Sequence, residues 1–310
     1  MDDRTKLYRI QKASGLTQQA LATEIGTSLV SLNNWLSGGT KPTRKAFLAR
    51  IDALYVKYLG LDAINQGELH DVKQKAEMQR LTATQLVANP RALRRLTVAS
   101  TYNSNTIEGS TMTEADVDAV LFSRRTLTNR TQIEQREAVN HRVALEYLLS
   151  KLTENEGFQF TPDLIERVHL ILMSGIISNA GTWRNHGVRI QGSHVALANY
   201  VKIPALIEAL CAELNMETAD QVALLAKTHA QFEQIHPFSD GNGRAGRLIM
   251  LVKALQLSIA PPIVEQERKA VYYKYLQLAQ SEGKHDFLEQ FVAESILTTS
   301  AQLRPLLVGS

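Results

Sequence analysis

"IHPFSDGNGRAGR", residues 235–247, packs a histidine, a carboxylate, glycines around an asparagine, and two arginines into one short run. His236 is the side chain there that exchanges a proton near neutral pH, which suits a general base. Asp240 offers hard carboxylate oxygens of the kind that hold Mg²⁺ together with substrate phosphates. Gly241, Asn242 and Gly243 allow backbone angles at which successive N–H groups converge on an anion. The apolar helix expected from "AGRLIMLVKAL" puts its positive end behind the same spot. Arg244 and Arg247 are three apart, so both can face one side, and planar guanidinium groups suit phosphate oxygens. Singly, each feature is ordinary: Asp-Gly-Asn-Gly is turn sequence, and Arg-x-x-Arg is commonly a solvated face. Together they describe phosphoryl or nucleotidyl transfer. No "GxxxxGK[ST]" occurs in the chain, which argues against a P-loop enzyme.

Working outward, most of the chain reads as helix. "KAFLARIDALYVKYL", "EAVNHRVALEYLLSKL", "PDLIERVHLILMSGI", "ADQVALLAKTHAQFEQI" and "HDFLEQFVAESILTT" all repeat apolar residues at three- and four-residue spacing. "HGVRIQGSHVAL" breaks that period: Val188 and Ile190 alternate, Gly192-Ser193 turns, and the chain resumes at Val195, a short hairpin. The 310 residues are 44% apolar and carry a net charge of +3, enough for a core and too balanced for a nucleic-acid coat protein. The single cysteine, Cys211, excludes a disulfide framework and reads as a small buried hydrophobe. The acidic opening "MDDRTKLYRIQKASG" is no signal peptide, and "LIMLVKALQLSIAPPIV" is interrupted by Lys253, Gln256 and Pro261. A cytoplasmic protein with no membrane partner is expected.

The first sixty residues read separately. Thr17 can cap a helix that Gly26 ends, and Ser28 can cap a second that Gly38-Gly39 closes. Trp35 belongs to the core. The skeleton "LTQ..LA..IG.S...L..W..G...P" resembles the Cro/repressor type of helix-turn-helix, whose second helix enters the major groove. Nine Lys and Arg against Asp2, Asp3, Glu24 and Asp52 leave residues 1–60 at about +5, suited to phosphate contact. Arg4, Lys6, Lys41, Arg44 and Lys45 could supply that contact. Ser28, Ser31, Asn33 and Asn34 are the candidates for DNA binding on the second helix. A helical module for dimerisation or partner binding fits the same pattern, and a homodimer is compatible with it.

The run at 235–247 satisfies the "HPFx[DE]GNGRxxR" signature and resembles the Fic/Doc family, with flanks "THAQFEQIHPF" and "APPIVEQERKAVYYKYLQLAQSEGKHDFLEQFVAES", over roughly residues 100–300. The resemblance implies an AMP transferase that moves AMP from ATP to a Ser, Thr or Tyr hydroxyl of a target protein or of the chain itself. It implies that His236 takes the hydroxyl proton and that Asp240 holds Mg²⁺ at the α- and β-phosphates. Asn242 with the backbone of Gly241 and Gly243 would cradle phosphate. Arg244 would contact the β-phosphate and Arg247 the γ-phosphate. Phe238 would anchor the loop. Tyr272 and Tyr273 either wall the nucleotide or simply pack. Residues Val188, Arg189, Ile190, Gln191 and Gly192 fall where the family carries a flap that receives the target as an added strand.

"NSNTIEGST", residues 103–111, sets Ser104 and Glu108 four apart on one helical face, with Gly109 following. A helix ending at glycine would explain it. Beside the Fic resemblance it matches the "[ST]xxxE[GN]" inhibitory motif, which implies that Glu108 pairs with Arg247 in place of the γ-phosphate. The expectation is therefore a mainly α protein: a helix-turn-helix module over 1–60, then a Fic-type helical domain over 61–310 with a small β-hairpin flap and an inhibitory helix near 98–109. Two alternatives stay open: a DNA-binding regulator whose Fic domain senses nucleotide, and a site that removes AMP or moves another nucleotide.

Overall fold

The computed structural model describes residues 2–123, 125–154, 157–190 and 195–308. It is mainly helical, with one isolated antiparallel bridge between Arg80 and Ile259 among the described residues. The described chain divides into two units, Met1–Ile64 with Glu267–Lys274, and Asn65–Gln266 with Tyr275–Ser310.

The first unit holds α1 (Asp3–Ser14), α2 (Gln18–Ile25), α3 (Leu29–Ser37) and α4 (Lys45–Leu59). The caps lie where the sequence places them. The Thr17 side chain accepts from Ala20 N–H, and Ser28 accepts from Ser31 N–H. Gly26 (φ 79°) and Gly38 (φ 85°) end α2 and α3 in the left-handed region. The helices close over Leu7, Ile10, Leu21, Ile25, Leu32, Trp35, Ile51 and Leu54. α1 packs on α4, and α2 on α3.

The second unit runs through α5 (Gln66–Glu77), α6 (Ala83–Val87), α7 (Pro90–Ile107), α8 (Glu114–Phe122), α9 (Gln132–Glu154), α10 (Pro162–Met173), α11 (Ile203–Leu214), α12 (Gln221–Ile235) and α13 (Asn242–Gln256). α14 (Lys269–Glu282) begins in the first unit's segment, and α15 (Asp286–Val308) completes the second unit. α13 is buried nearly all round, from Asn242 to Leu255. That accounts for its lack of a polar face: it is the central helix, packed by α7, α9, α10 and α12. Thr161 caps α10, with Pro162 in the first turn. Cys211 is buried, and burial pushes its thiol up to about 12. Among the described residues no helix is long and apolar enough to cross a membrane.

The expected hairpin does not form a ladder among the described residues. Val188, Arg189 and Ile190 run without regular secondary structure. Alternation supplies a face but no hydrogen-bonded partner, and an isolated two-stranded hairpin is marginal in water. Gln191 and Gly192, with Ser193 and His194, lie outside the described residues.

Candidate active site

His236 follows the last turn of α12, at φ 48° and ψ 61°. A non-glycine residue held in that left-handed region costs about 1–2 kcal/mol, so its surroundings must enforce it. The His236 N–H closes the helix on Phe232 O at 2.9 Å. Its Nδ1 lies 3.3 Å from Glu233 O, which assigns the proton to Nδ1 and leaves Nε2 as the basic nitrogen. Burial lowers the imidazole's proton affinity, with Arg184 adding to the effect and Glu108 and Asp240 opposing it. The ring is therefore a neutral base at neutral pH.

The loop behind His236 is clamped by its own side chains. Phe238 is fully buried, stacked 3.5 Å from the His169 ring and 4.7 Å from Trp183. Asn242 Nδ2 donates to Phe238 O, and Phe238 N–H donates to Asn242 Oδ1, both at 2.9 Å. The Asn242 side chain, expected at phosphate, also holds the loop. One amide N–H and the amide oxygen are engaged on Phe238, so the side chain shapes the loop and keeps a second N–H. Gly241 is a glycine on two counts: φ is 77°, and a Cβ would stand 2.6 Å from Met173 Sδ. It starts α13 without a side-chain cap, which suits an anion at that end.

Asp240 is exposed, its side chain 62% accessible, with Oδ1 accepting from Gly241 N–H at 2.6 Å. Among the described residues no group of three or more His, Cys, Asp or Glu is arranged to hold a metal. A single open carboxylate fits Mg²⁺, which keeps several waters and takes other ligands from substrate phosphates.

The two arginines of the run turn to different partners. Arg244 is buried and pairs through Nη1 with Glu137 Oε1 of α9; its Nη2 lies 3.5 Å from Asp240. Arg247 reaches α7. Its Nε donates to Ser104 Oγ (3.0 Å), and Nη2 donates to Ser104 O (3.0 Å) and to Glu108 Oε1 (2.6 Å). Ser104 and Glu108 thus share one guanidinium. Gly109 (φ 108°) turns the chain directly after Glu108. A Cβ built on Gly243 would collide with Glu108 Oε1, so that carboxylate rests on the first turn of α13. It sits where both the helix end and Arg247 favour an anion. Beside Arg247 and Ser104 lies a cavity of about 20 Å³, room for a single water.

Several residues that sequence reasoning passed over support this site. His169 Nε2 donates to Asp240 O (2.8 Å), and its Nδ1 accepts from Gly181 N–H (2.9 Å). Burial lowers its pKa to about 4. His141, lowered to about 3 by burial and by Arg247 and Arg244, pairs with Thr101 Oγ1 of α7 at 2.9 Å. Glu233 is buried with Oε1 unpartnered, and burial raises it to about 7. Glu134 of α9 accepts from Thr111 and Thr131 and is held at about 2, chiefly by the Thr111 N–H. His141 and His169 carried a readable trace, as polar residues on the apolar faces of their helices. Glu134 and Glu137 looked like ordinary solvated charges.

In the first unit Ser28 Oγ lies 2.9 Å from Ser31 Oγ, so both hydroxyls are engaged in the cap. Asn33 and Asn34 are exposed, beside Val30 at 70%. Tyr272 is buried and Tyr273 partly exposed, their rings 5.1 Å apart.

Residues 159–253 match the family model described as "Fic/DOC family", and residues 6–49 match that described as "Helix-turn-helix". The chain is 26% identical over 237 residues to "Protein adenylyltransferase Fic" of Aedes aegypti, covering 76% of this chain and 47% of that protein. The protein of the same name from Nematostella vectensis is 27% identical over 213 residues, covering 66% and 48%. The chain thus spans about half the length of the curated relatives it matches. A Fic domain containing signaling protein from Bacteroides thetaiotaomicron shares the fold at a TM-score of 0.64 and 20% identity, over 79% of this chain and 98% of that one. Fic-1 from C. elegans does so at 0.64 and 19%, over 98% and 96%.

Proposed function

From a chain that carries a Fic/DOC domain behind a helix-turn-helix domain, we propose a protein adenylyltransferase held in a self-inhibited state by Glu108. The observation that carries this reading is the meeting of a neutral His236 with an uncapped, glycine-started helix end and two buried arginines. The name borne by the relatives, protein adenylyltransferase, supports it.

The target hydroxyl oxygen attacks the α-phosphorus of ATP. His236 Nε2 takes the hydroxyl proton as the new P–O bond forms, and the bond to pyrophosphate breaks, so pyrophosphate carries the electron pair away. The α13 end and Arg244 steady the phosphate charge, and Arg247 is the partner of the terminal phosphate. Asp240 would hold Mg²⁺, which when bound neutralises charge on the phosphates. Glu108 occupies Arg247 and the floor above Gly243, so ATP meets a carboxylate where its terminal phosphate belongs. The substrate hydroxyl is Ser, Thr or Tyr of a target protein or of the chain itself.

For the helix-turn-helix domain we propose DNA binding, supported by the exposed Val30, Asn33 and Asn34 of α3 and the positive balance of residues 1–60. The deciding experiment for the enzyme is mass spectrometry of the chain and of lysate after incubation with ATP and Mg²⁺, with GTP, UTP and CTP in parallel. AMP mass on peptides is the expected result. Transfer of a different nucleotide alone, or of none by the Glu108→Gly variant, would overturn it.

A further inference from the structure

The end of α12 leaves carbonyls with no helical N–H to take up, and a single residue from elsewhere in the chain supplies them. Arg184 lies in the segment after α10. Its backbone N–H donates to Pro237 O at 2.9 Å. Its Nε donates to His236 O at 2.7 Å, and its Nη2 to Ile235 O at 3.2 Å. Three successive carbonyls, on either side of the reacting imidazole, are thus bonded by one residue. The same guanidinium reaches the opposite way, Nη1 to His186 O at 2.7 Å and Nη2 to Ala198 O at 2.6 Å. Arg184 is only 3% exposed, and burial lowers its own pKa. Its neighbour Trp183 lies against Phe238, so the segment buttresses the loop through both side chains.

This arrangement resolves the strained geometry of His236. A histidine at φ 48° stays there only when its flanking peptides are fixed. We infer that Arg184 is the positioning residue of the site: it holds the His236 peptide in the left-handed conformation that turns Nε2 to the cleft, and ties the segments at His186 and Ala198 to that peptide. The inference rests on the transfer reading. Arg184 acts through His236 and bonds none of the nucleotide-directed side chains, so it governs the hydroxyl step and leaves ATP binding to Arg244, Arg247 and the α13 end. Lysine cannot replace it, because an ammonium on a single stem cannot span carbonyls that diverge on two sides of a planar fork. The charge matters as well. The groups acting on the His236 ring are the Glu233 carbonyl, Arg184, Glu108 and Asp240; Arg184 is the cation among them and lowers the ring's proton affinity, in the same direction as burial.

The test uses the full chain with Glu108→Gly as parent, and adds Arg184→Lys or Arg184→Gln. Expected is a fall in kcat of about tenfold to hundredfold, the usual effect of a catalytic group displaced by about 1 Å. KM for ATP, and ATP affinity by calorimetry, should stay within about twofold of the parent. Arg184→Gln should also move the His236 imidazole titration, read by NMR, to higher pH, whereas a merely structural role would leave it in place. Parent-level kcat in Arg184→Lys would overturn the inference, as would a rise in KM for ATP at unchanged kcat. Should Arg184→Gln fail to fold, Arg184→Lys and its imidazole spectrum decide. A parent that transfers nothing counts against the transfer reading, and the imidazole titration then tests Arg184 independently.

Discussion

The two domains handle polarity in opposite ways. In the helix-turn-helix domain the core is apolar, and the asparagines and serines of α3 stand at the surface or in the cap. In the second unit, which carries the Fic/DOC domain, Arg184, Arg244, Arg247, Glu233, His141, His169 and His229 are all buried. Burying such groups costs free energy unless each is bonded, so a domain keeps them where geometry must be exact to fractions of an ångström. Displaying donors to a groove needs only a rigid helix face. The difference teaches where substitutions will be felt: in one domain through lost positioning, in the other through lost contact.

The hardest blow to that contrast is His236→Ala. It removes the group proposed to accept the hydroxyl proton, and transfer should fall by at least about a hundredfold, the usual worth of a general base. ATP binding should largely survive, because Arg244, Arg247 and the α13 end remain. Near-normal transfer by this variant would show that the buried cluster is scaffold alone.

Glu108→Gly is the next largest effect, and of opposite sign. A charge-assisted bond of this kind is worth about 1.5–3 kcal/mol, less for a carboxylate that is one-third exposed, so a gain of about tenfold is expected. Glu108→Gln should activate less, since an amide still bonds but lacks the charge. Adding Arg247→Ala should cancel most of the gain, because the proposed terminal-phosphate partner goes with the proposed brake. Transfer rates of the four proteins at equal ATP and Mg²⁺ decide; a slower Glu108→Gly would put Glu108 in the chemistry and favour AMP removal.

How much of this was legible follows from separation along the chain. His236, Asp240 and the two arginines lie within twelve residues, so their chemistry could be read as one unit. Glu108 stands 139 residues from Arg247, and only the inhibitory pattern it shares with the Fic family pointed to it. Arg184 and Glu137, 52 and 107 residues from their partners, left no local pattern at all. Helix periods and caps were readable because they are local. The bonds of the Asn242 amide to Phe238 were not legible, because a loop sequence does not reveal which way an amide turns. The alternation at Val188 and Ile190 suggested strand for a similar reason, since pairing depends on a partner that alternation does not specify.

Acid should separate the domains. Burial lowers His141 and His229 to about 3 and His169 to about 4. Unfolded, each titrates near 6.5, so between those values the unfolded chain binds more protons. Their contribution is full above about 6.5 and drains away as pH falls towards 3–4. Glu233, raised to about 7, runs the other way between 4.5 and 7, but it is one group against three. Residues 1–64 and 267–274 contain no histidine. The two tryptophans report the two domains separately, Trp35 in one and Trp183 in the other. In Trp35→Phe and Trp183→Phe chains, lowering pH from 7 to 5 should drop the Trp183 transition by several degrees and leave the Trp35 transition nearly fixed. A parallel shift of both would mean that the buried histidines are not what sets acid stability.

The smallest effect belongs to the exposed face of α3. Its Asn33 and Asn34 are exposed and make no demand on the fold, so Asn33→Ala and Asn34→Ala should leave the Trp35 transition unchanged. If the helix reads base edges, each substitution removes at most one amide contact, worth about 1–3 kcal/mol when bidentate and less otherwise, so affinity should fall roughly fivefold to tenfold at a preferred site. Lys41→Ala, at another exposed position, should instead weaken all sequences alike and flatten the salt dependence by about one unit of slope. Fluorescence anisotropy against the chain's own promoter and a scrambled duplex, at two salt concentrations, separates these outcomes. Loss at the promoter alone marks Asn33 or Asn34 as a reader. Equal loss on both duplexes would reduce α3 to a charged surface, and no binding at low salt would make the domain a platform for protein partners. In either of those cases the display side of the contrast fails, while the buried arginines of the other domain keep their role.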